Sequence, residues 1–362
     1  MFLVYGLQKS GIAITKLLEK KNIEFKIWDD NKKNIKNLKK ILNPKFFLEK
    51  NKCNLTNFNK IFVSPGISIR QKKFKIKNKS RKIKRDLNLY MSNLKNQKII
   101  AITGTNGKST TTKLIGDILK KKKIKTFVGG NIGEPLCNAF LLNNKFHYHV
   151  IELSSFQLET VKNIDTKISI ITNLSNDHLD RYKNVNDYVN QKKNIITFTG
   201  TNLISIDDNF SKKIYSNNKF INKISFSILD PKADVYMGNN FILDNYFKKN
   251  KKIYIKNISK DLEGHFNNQN ILIAYICIKL LKISEKYFFE VIEKFIGLPH
   301  RSKVIIENKK FKIINNSKST NLNSCINSIT NYDNIYLIIG GIAKEKNFET
   351  LLDFKKKIKC IY

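Results

Sequence analysis

The stretch at residues 102–114, ITGTNGKSTTTKL, predicts the turn around which the fold is organised. The apolar run 99–102 before it is typical of a buried strand, and residues 110–121 are predicted to form a helix. Gly104 and Gly107 permit a tight turn between these elements and let backbone N–H groups approach a phosphate. Lys108 supplies a positive charge for the β- and γ-phosphates, and the Ser109 hydroxyl is a ligand for Mg²⁺. The stretch therefore predicts a phosphate-binding loop.

The glycine spacing of this loop differs from the usual nucleotide-binding pattern. That pattern places four residues between its first glycine and the Gly-Lys pair. Here only Thr105 and Asn106 separate Gly104 from Gly107, and Ile102 stands where the first glycine would be. An ordinary strand-to-helix turn is the alternative interpretation. Gly-Lys-Ser-Thr between a strand and a helix favours phosphate binding, but the loop alone does not name the reaction.

Length and composition set limits on the class of protein. A chain of 362 residues, 41% hydrophobic, suggests two or three domains of about 100–200 residues each. No apolar run approaches the ~20 residues of a membrane span, and the sequence MFLVYGLQKSG enters a strand directly, without a signal-peptide pattern. Its five cysteines have neither metal nor redox spacing. We therefore expect a cytoplasmic protein with reduced thiols and no membrane partner.

The formal net charge of +38 raises the question of a nucleic-acid partner. The excess is nearly all lysine, spread along the chain with abundant Asn and Ile. The densest clusters, residues 72–85 and 120–125, contain no stacking aromatic residue apart from Phe74. We interpret the charge as a solvated basic surface and expect no nucleic-acid partner.

The N-terminal region, FLVYGLQKSGIAITKLLEKKNIEFKIWDD, predicts a strand, a glycine turn, a helix and a second strand. Gly6 and Gly11 flank a turn of the dinucleotide-fold type, although Gln8 replaces its middle glycine. Asp29 and Asp30 end the second strand, near the place where such folds hold a ribose. A lysine-rich connector follows, and we place a domain boundary near residue 93.

Strand and helix patterns alternate after the phosphate loop. Residues 149–153, 168–174 and 201–206 are predicted strands with helical stretches between them, whereas 209–262 is polar and predicts little. This alternation indicates a mostly parallel sheet with helices on both faces and ligands at the carboxyl ends of the strands. A third unit begins after Pro299. We therefore predict an α/β protein of three domains: a Rossmann-like domain at 1–92, a central P-loop-type ATPase domain at 93–298, and a Rossmann-like domain at 299–362.

Three polar clusters follow the loop, each at a predicted strand end. Glu152 opens ELSSFQLE, Asp177 and His178 lie in NLSNDHLDRY, and Lys192 lies in DYVNQKKNI. Taken singly, a Glu after a strand is usually a helix cap and a lone His is usually a surface residue. In this order after a phosphate loop, a carboxylate, an imidazole and a hydroxyl favour a site for Mg²⁺ beside a triphosphate.

Seven segments taken together resemble the Mur ligase family: TGTNGKST, GGNIG, ELSSFQLE, NDHLDRY, GLPHR, NNSKSTN and GGIAKEKNF. The short glycine spacing is that family's own. The resemblance implies an ATP-dependent ligase of peptidoglycan precursor synthesis that joins D-glutamate to UDP-N-acetylmuramoyl-L-alanine through an acyl-phosphate intermediate. It also implies ATP and two Mg²⁺ ions as cofactors, and we expect a monomer.

The resemblance assigns a role to each matching residue. The catalytic positions are Lys108, His178 and Lys192, with Lys192 expected to be carbamylated. The metal ligands are Ser109, Glu152, His178 and Lys192. The nucleotide-binding positions are Gly104, Thr105, Asn106, Gly107, Lys108, Ser109, Thr110, Asn270, Arg301 and Asn316. The positions for the UDP-linked substrate are Ser10, Asp29, Ser64, Gly66, Asn131, Ser154, Gln157 and Asp177, and those for D-glutamate are Lys318, Thr320 and Lys344.

The chain departs from the family pattern at a few positions. Asn316 stands where an Asp is usual, Lys303 replaces a Glu, and Phe266 replaces a His. Family members continue with further strands and helices beyond the last residue here, so we expect a partial third domain with an exposed sheet edge. Two alternatives stay open at this point: another Mur ligase or a folylpolyglutamate synthase-like ligase, and a basic nucleotide-binding regulator without ligase activity.

Overall fold

The computed structural model describes residues 1–49, 53–142, 145–341 and 348–362. Within those ranges the five cysteines are free thiols. No helix in the described ranges is long and apolar enough to cross a membrane.

The N-terminal region forms a four-stranded parallel sheet of strand order β2-β1-β3-β4. Its strands are β1 (Phe2–Tyr5), β2 (Phe25–Trp28), β3 (Lys60–Val63) and β4 (Ile83–Lys84), and its helices are α1 (Lys9–Lys20), α2 (Lys32–Leu38), α3 (Lys79–Lys82) and α4 (Asp86–Met91). Alternate side chains of a strand point to opposite faces. Accordingly, Val4 packs into the cluster that contains the buried face of α1, while Leu3 and Tyr5 pack on the other side with Phe58 and Phe74.

The phosphate-loop region forms a nine-stranded sheet of order β13-β12-β11-β10-β9-β8-β5-β7-β6. Its strands are β5 (Lys98–Thr103), β6 (Thr126–Gly130), β7 (Tyr148–Glu152), β8 (Ile168–Ile171), β9 (Thr201–Ser205), β10 (Lys223–Ser227), β11 (Val235–Met237), β12 (Phe241–Asp244) and β13 (Lys251–Tyr254). Its helices are α5 (Lys108–Lys121), α6 (Ser155–Leu158), α7 (Val185–Lys193), α8 (Asn209–Tyr215), α9 (His265–Leu280) and α10 (Glu285–Lys294).

The interior strand β5, which carries the phosphate loop, is buried on both faces. Ile100 and Ile102 pack in one cluster with residues of α5, α9 and α10, and Ile99 and Ala101 pack in another with residues of α6, α7 and α8. The strands from β6 to β11 are paired in parallel. The prediction of a mostly parallel sheet with helices on both faces is thus confirmed, and β5 places the phosphate loop at the carboxyl edge of the sheet, between β8 and β7.

Two parts of the fold differ from the sequence prediction. The polar region 209–262, for which no strand was predicted, contains β10 to β13, and β12 and β13 extend the sheet with antiparallel pairing. The helix after the loop begins at Lys108, two residues before its predicted start, because Gly107 adopts the left-handed conformation directly before it. Both features follow from the path of the backbone, and neither is marked in the sequence by a strong periodicity of apolar residues.

The C-terminal region is thinly packed. It contains the antiparallel pair β14 (Lys303–Glu307) and β15 (Lys312–Asn315), the helix α11 (Leu322–Ile329), and the parallel pair β16 (Ile335–Leu337) and β17 (Ile358–Ile361). A small cluster of buried residues, Leu322, Ile329 and Leu351, holds it together. The two domain boundaries, at residues 92/93 and 298/299, stay predictions.

Candidate active site

The phosphate loop is shaped by its two glycines. Gly104 has φ +146° and Gly107 has φ +82°, conformations that side-chain-bearing residues rarely adopt. A Cβ at Gly104 would lie 1.9 Å from Thr172 Oγ1, and one at Gly107 would lie 2.5 Å from Asn270 Oδ1. The loop therefore forms a close backbone cradle at the N-terminus of α5, where free N–H groups and the helix dipole favour an anion.

Two lysines lie against the inner side of this loop. Lys108 Nζ donates to Thr105 O at 2.7 Å, and Lys192 Nζ donates to Gly104 O at 2.6 Å. Burial lowers the pKa of Lys108, and burial together with the Lys108 charge lowers the pKa of Lys192 well below its usual range. The prediction that Lys192 lies at a strand end is wrong, because Lys192 lies on α7, and the packing of α7 brings it to the loop beside Lys108.

A buried carboxylate and a hydroxyl lie beside each other at the start of α5. Ser109 Oγ donates to Glu152 Oε2 at 2.7 Å, and Asn131 Nδ2 donates to Glu152 Oε1 at 2.8 Å. Glu152 is fully buried, at the carboxyl end of β7. Arg301, 192 residues beyond Ser109, donates from Nη2 to Ser109 Oγ at 2.8 Å. These hydrogen bonds therefore connect four predicted site residues, and we call this group the Ser109–Glu152 cluster: Ser109, Glu152, Asn131 and Arg301.

The donor set at this cluster fits Mg²⁺. Mg²⁺ prefers hard oxygen ligands from one or two protein groups and completes its shell with phosphate oxygens and water. The hydroxyl of Ser109 and the carboxylate of Glu152 meet this requirement beside a loop shaped for phosphate. Within the described ranges no three His, Cys, Asp or Glu side chains are grouped as a metal site. Two of the predicted ligands, Ser109 and Lys192, are not among these four residue types.

The Asp177–His178 segment flanks the cluster. The negative charge of Asp177 acts on both Lys108 and Lys192, opposing the lowering of their pKa values. His178 has φ +54°, its Nε2 lies 3.6 Å from Asp177 Oδ2, and its ring packs edge-on against Phe156 with centroids 4.7 Å apart. Asp177 is thus close to the loop, and His178 lies next to Asp177 at the outer side.

The N-terminal sheet carries a second polar site at the carboxyl ends of its strands. Asp29 accepts hydrogen bonds from Leu7 N at 2.7 Å, Asn31 N at 2.8 Å and Asn34 Nδ2 at 2.9 Å. A cavity of about 290 Å³ adjoins it, lined by Gln8, Asp29, Asn31, Lys33, Asn34 and Asn37. Ser64 is buried and donates to Gly6 O at 2.6 Å. Asp29 and Ser64 are therefore fixed at this end of the molecule.

Ser10, Ser154 and Gln157 meet around a residue that the sequence did not single out, Asp86. Gln157 Nε2 donates to Asp86 Oδ2 at 3.0 Å, and the Ser10 hydroxyl also bonds to this carboxyl. Gln157 Oε1 accepts from Ser154 N and from Ser154 Oγ, both at 3.1 Å. Burial raises the pKa of Asp86. The sequence offered no signal, because an Asp at the start of a helix is usually a cap.

Two further predicted nucleotide positions are Asn270, on α9, and Asn316, directly after β15. Asn270 accepts from Thr111 Oγ1 at 2.9 Å and donates to Asn267 Oδ1 at 2.9 Å. Asn316 Oδ1 accepts from Ser302 N at 3.2 Å and so holds the backbone directly after Arg301. Asn316 therefore acts on the turn rather than on the loop.

The C-terminal region supplies another missed contact and the predicted D-glutamate positions. Asn321 Nδ2 donates to Asn106 Oδ1 of the loop at 3.3 Å. Lys318 N donates to His300 O at 3.1 Å, and the side chains of Lys318 and Thr320 are exposed. Lys344 lies outside the described residues.

Comparison with known proteins agrees with this geometry. The model of the Mur ligase middle domain matches residues 102–278. The UDP-N-acetylmuramoylalanine–D-glutamate ligase of Rickettsia prowazekii (strain Madrid E) is 33% identical over 366 residues, which cover 99% of this chain and 80% of that protein. The ligase of the same name from Buchnera aphidicola subsp. Schizaphis graminum is 35% identical over 363 residues, covering 99% and 81%.

Solved structures show the same fold at low identity. The UDP-N-acetylmuramate-alanine ligase of Thermotoga maritima has a TM-score of 0.58 at 17% identity and covers 93% of this chain and 80% of its own. A pseudomurein peptide ligase type C from Methanothermus fervidus has a TM-score of 0.56 at 19% identity, covering 93% of this chain and 79% of its own.

The phosphate loop, the buried Ser109–Glu152 pair and these similarities define an ATP-dependent ligase that forms amide bonds. The chain belongs to the Mur ligase family.

Proposed function

We propose that this chain joins D-glutamate to UDP-N-acetylmuramoyl-L-alanine with ATP, in peptidoglycan precursor synthesis. One structural observation carries the ligase chemistry: the buried Ser109–Glu152 pair lies at the phosphate loop and is joined by Asn131 and Arg301. The substrates are inferred from the names of relatives that align with 99% of the chain.

The reaction brings anions together. ATP supplies the phosphoryl group that activates the substrate carboxylate, and the amine of D-glutamate then attacks the acyl phosphate and releases phosphate. Catalysis of such a transfer depends on positioning and on charge stabilisation. The loop N–H groups and Lys108 would orient the phosphates. Ser109 and Glu152 would hold a Mg²⁺ ion, which supplies positive charge at the transferred group, and His178 would serve a second ion.

Lys192 is proposed to act as a carbamate. Its Nζ is buried at Gly104 O, beside a second lysine and near Glu152. An ammonium at this position would repel a metal ion, whereas a carbamate would attract it. The modification needs the neutral amine, whose nitrogen forms a bond to the carbon of CO₂ and releases one proton to solvent. The product carries the negative oxygens that a Mg²⁺ site requires.

The substrate would extend between the two sheets. The polar cavity beside Asp29 fits the UDP end, because carboxylate and amide groups there can bind ribose and uracil. Ser10, Ser64, Gly66, Asn131, Ser154, Gln157 and Asp177 would contact parts nearer the reacting carboxylate. Lys318, Thr320 and Lys344 would bind the D-glutamate carboxylates as donors.

Phosphate release tests this function. The chain is incubated with ATP, Mg²⁺ and UDP-N-acetylmuramoyl-L-alanine, and D-glutamate is compared with L-glutamate, L-alanine and diaminopimelate. Phosphate release that needs both the UDP substrate and D-glutamate supports the proposal. Equal release with another amino acid would reassign the chain to another ligase specificity. Turnover that instead rises with DNA or RNA and falls steeply with salt would favour a nucleic-acid-associated ATPase.

A further inference from the structure

A buried cluster of one carboxylate and two guanidinium groups joins the N-terminal sheet to the nine-stranded sheet. Glu159 follows α6, Arg85 lies between β4 and α4, and Arg181 follows the His178 segment. Their side chains are 3%, 0% and 7% exposed, respectively. Glu159 Oε2 accepts from Arg85 Nη2 at 2.5 Å and from Arg181 Nη2 at 3.1 Å. Charges buried to this degree are costly unless they are paired and hydrogen-bonded.

Arg85 directs its remaining donors to the turn after β3. Its Nη1 donates to Val63 O at 3.0 Å, Ser64 O at 2.8 Å and Ile67 O at 3.0 Å. This turn, Ser-Pro-Gly-Ile at residues 64–67, carries two of the positions assigned to the UDP-linked substrate. Arg85 therefore fixes the backbone of that turn.

Arg181 binds the same turn from the other side. Its Nη1 donates to Pro65 O at 2.8 Å and its Nη2 to Ile67 O at 3.3 Å. Its guanidinium lies 3.7 Å from the centroid of the Phe156 ring, and the same ring packs against His178. Arg181 thus connects the turn to the segment that carries His178.

The cluster is arranged for the turn rather than for the strongest ion pairing. The Nε atoms of Arg85 and Arg181 have no hydrogen-bond partner among the described residues. A two-armed pair between Glu159 and either arginine would use such atoms, and it would be stronger. The Nη1 atoms of both arginines, and also Nη2 of Arg181, instead reach backbone carbonyls. Glu159 holds two like charges together so that both can bind one turn.

We propose that Glu159 is a positioning residue for the UDP-linked substrate. Acting through Arg85 and Arg181, it holds the turn at 64–67 in a fixed position relative to the Asp177–His178 segment, so that one substrate can span both sheets. This inference rests on the proposed function. Without the carboxylate, the two guanidinium groups repel each other and the turn is released.

The test compares Glu159→Gln with a matched control, Glu285→Gln. Glu285 is also a carboxylate between two cations, Lys248 and Lys279, but it lies at α10, away from the loop. Calorimetry measures binding of UDP-N-acetylmuramoyl-L-alanine and of ATP with Mg²⁺, and hydrogen exchange follows the backbone amides at 61–70. We expect Glu159→Gln to weaken UDP-substrate binding about tenfold, equivalent to about 1.4 kcal/mol, and to speed exchange at the turn. ATP binding stays within about twofold, and Glu285→Gln changes neither affinity nor exchange at 61–70.

Each outcome decides the proposal. A folded Glu159→Gln variant with unchanged UDP-substrate affinity, or with equal losses for ATP and the UDP substrate, overturns it. If the wild-type chain does not bind the UDP substrate, the proposed function fails. In that case hydrogen exchange still tests the positioning role, and equal exchange at 61–70 in the wild type and in Glu159→Gln overturns it. If Glu159→Gln does not fold, Arg181→Lys carries the same test, because it keeps the charge beside Glu159 and loses the two-armed contact with Pro65 and Ile67.

Discussion

Lys192 Nζ lies 2.6 Å from the carbonyl oxygen of Gly104, so a lysine of α7 is buried against the backbone of the phosphate loop. The neighbouring Lys193 on the same helix instead places its Nζ 5.3 Å from the centroid of the Phe220 ring. The two lysines therefore have different environments although they are adjacent in sequence.

The first prediction follows from this difference. Lys192→Ala abolishes ligation because the carbamate is lost, and a short-chain carboxylic acid added to the assay partly restores it. Lys193→Ala, the matched control, retains activity. Carbon NMR with ¹³C-labelled bicarbonate detects a carbamate signal in the wild type and not in Lys192→Ala. Full activity of Lys192→Ala without added acid would disprove the assignment.

Lys108→Ala is expected to lower the rate of phosphoryl transfer by about 10²–10³-fold, the usual cost of one preorganised electrostatic group. The fall should appear in kcat, since the group acts on the transferring phosphate. Lys113→Ala on the same helix is the control, because Lys113 pairs with Asp117 instead of facing the loop. A rapid-quench measurement of ADP formation distinguishes this loss from slow product release. A burst of ADP as large in Lys108→Ala as in the wild type would contradict the role of Lys108 in phosphoryl transfer.

Glu152→Gln is expected to raise the Mg²⁺ concentration needed for half-maximal activity. The amide keeps an oxygen for Ser109 but removes the negative charge that attracts the ion. Glu134→Gln serves as control, since Glu134 is exposed and bonds to Asn138. A magnesium titration at saturating ATP gives the comparison. Identical titration curves for Glu152→Gln and the wild type would remove Glu152 from the metal site.

His178→Ala is expected to lose turnover in a different way from Lys108→Ala. His178 is assigned to the second metal ion and to placement of the muramoyl carboxylate, so its loss should raise both the Mg²⁺ requirement and the KM for the UDP substrate. The KM for ATP should change least. Steady-state kinetics with each substrate varied in turn measures these effects, and wild-type constants at subsaturating Mg²⁺ would contradict the assignment.

Stability should fall in acid because of His149. This buried imidazole accepts or donates one hydrogen bond with the Tyr90 hydroxyl at 2.6 Å, and burial lowers its pKa from 6.5 to about 4. Since the folded pKa is depressed, the neutral form stabilises the fold above pH 6.5, and this stability is lost as the pH falls from 6.5 to about 4. The contribution is about 3 kcal/mol, at about 1.4 kcal/mol per pKa unit. Urea unfolding of the wild type and of His149→Gln across this range tests the effect, which should be smaller in the variant.

Local sequence determined the parts of this protein that depend on short-range chemistry. The apolar run before Gly104, the two glycines and the Gly-Lys-Ser-Thr motif specify a strand, a phosphate loop and a helix, because neighbouring residues alone fix those backbone conformations. The order of strands and helices likewise specified a mostly parallel sheet. Strands β10 to β13, within the mostly polar region 209–262, escaped prediction, since their pairing with neighbouring strands makes them strands.

Tertiary structure alone decided which distant side chains meet. Arg301 reaches Ser109, and Asp86 receives Ser10 and Gln157, because strand order and helix packing bring segments together that no local pattern links. The Glu159 cluster formed for the same reason, and nothing in its spacing predicts it. Contacts of this kind depend on how whole sheets pack, and the free energy that fixes them comes from the core clusters rather than from the contacting residues.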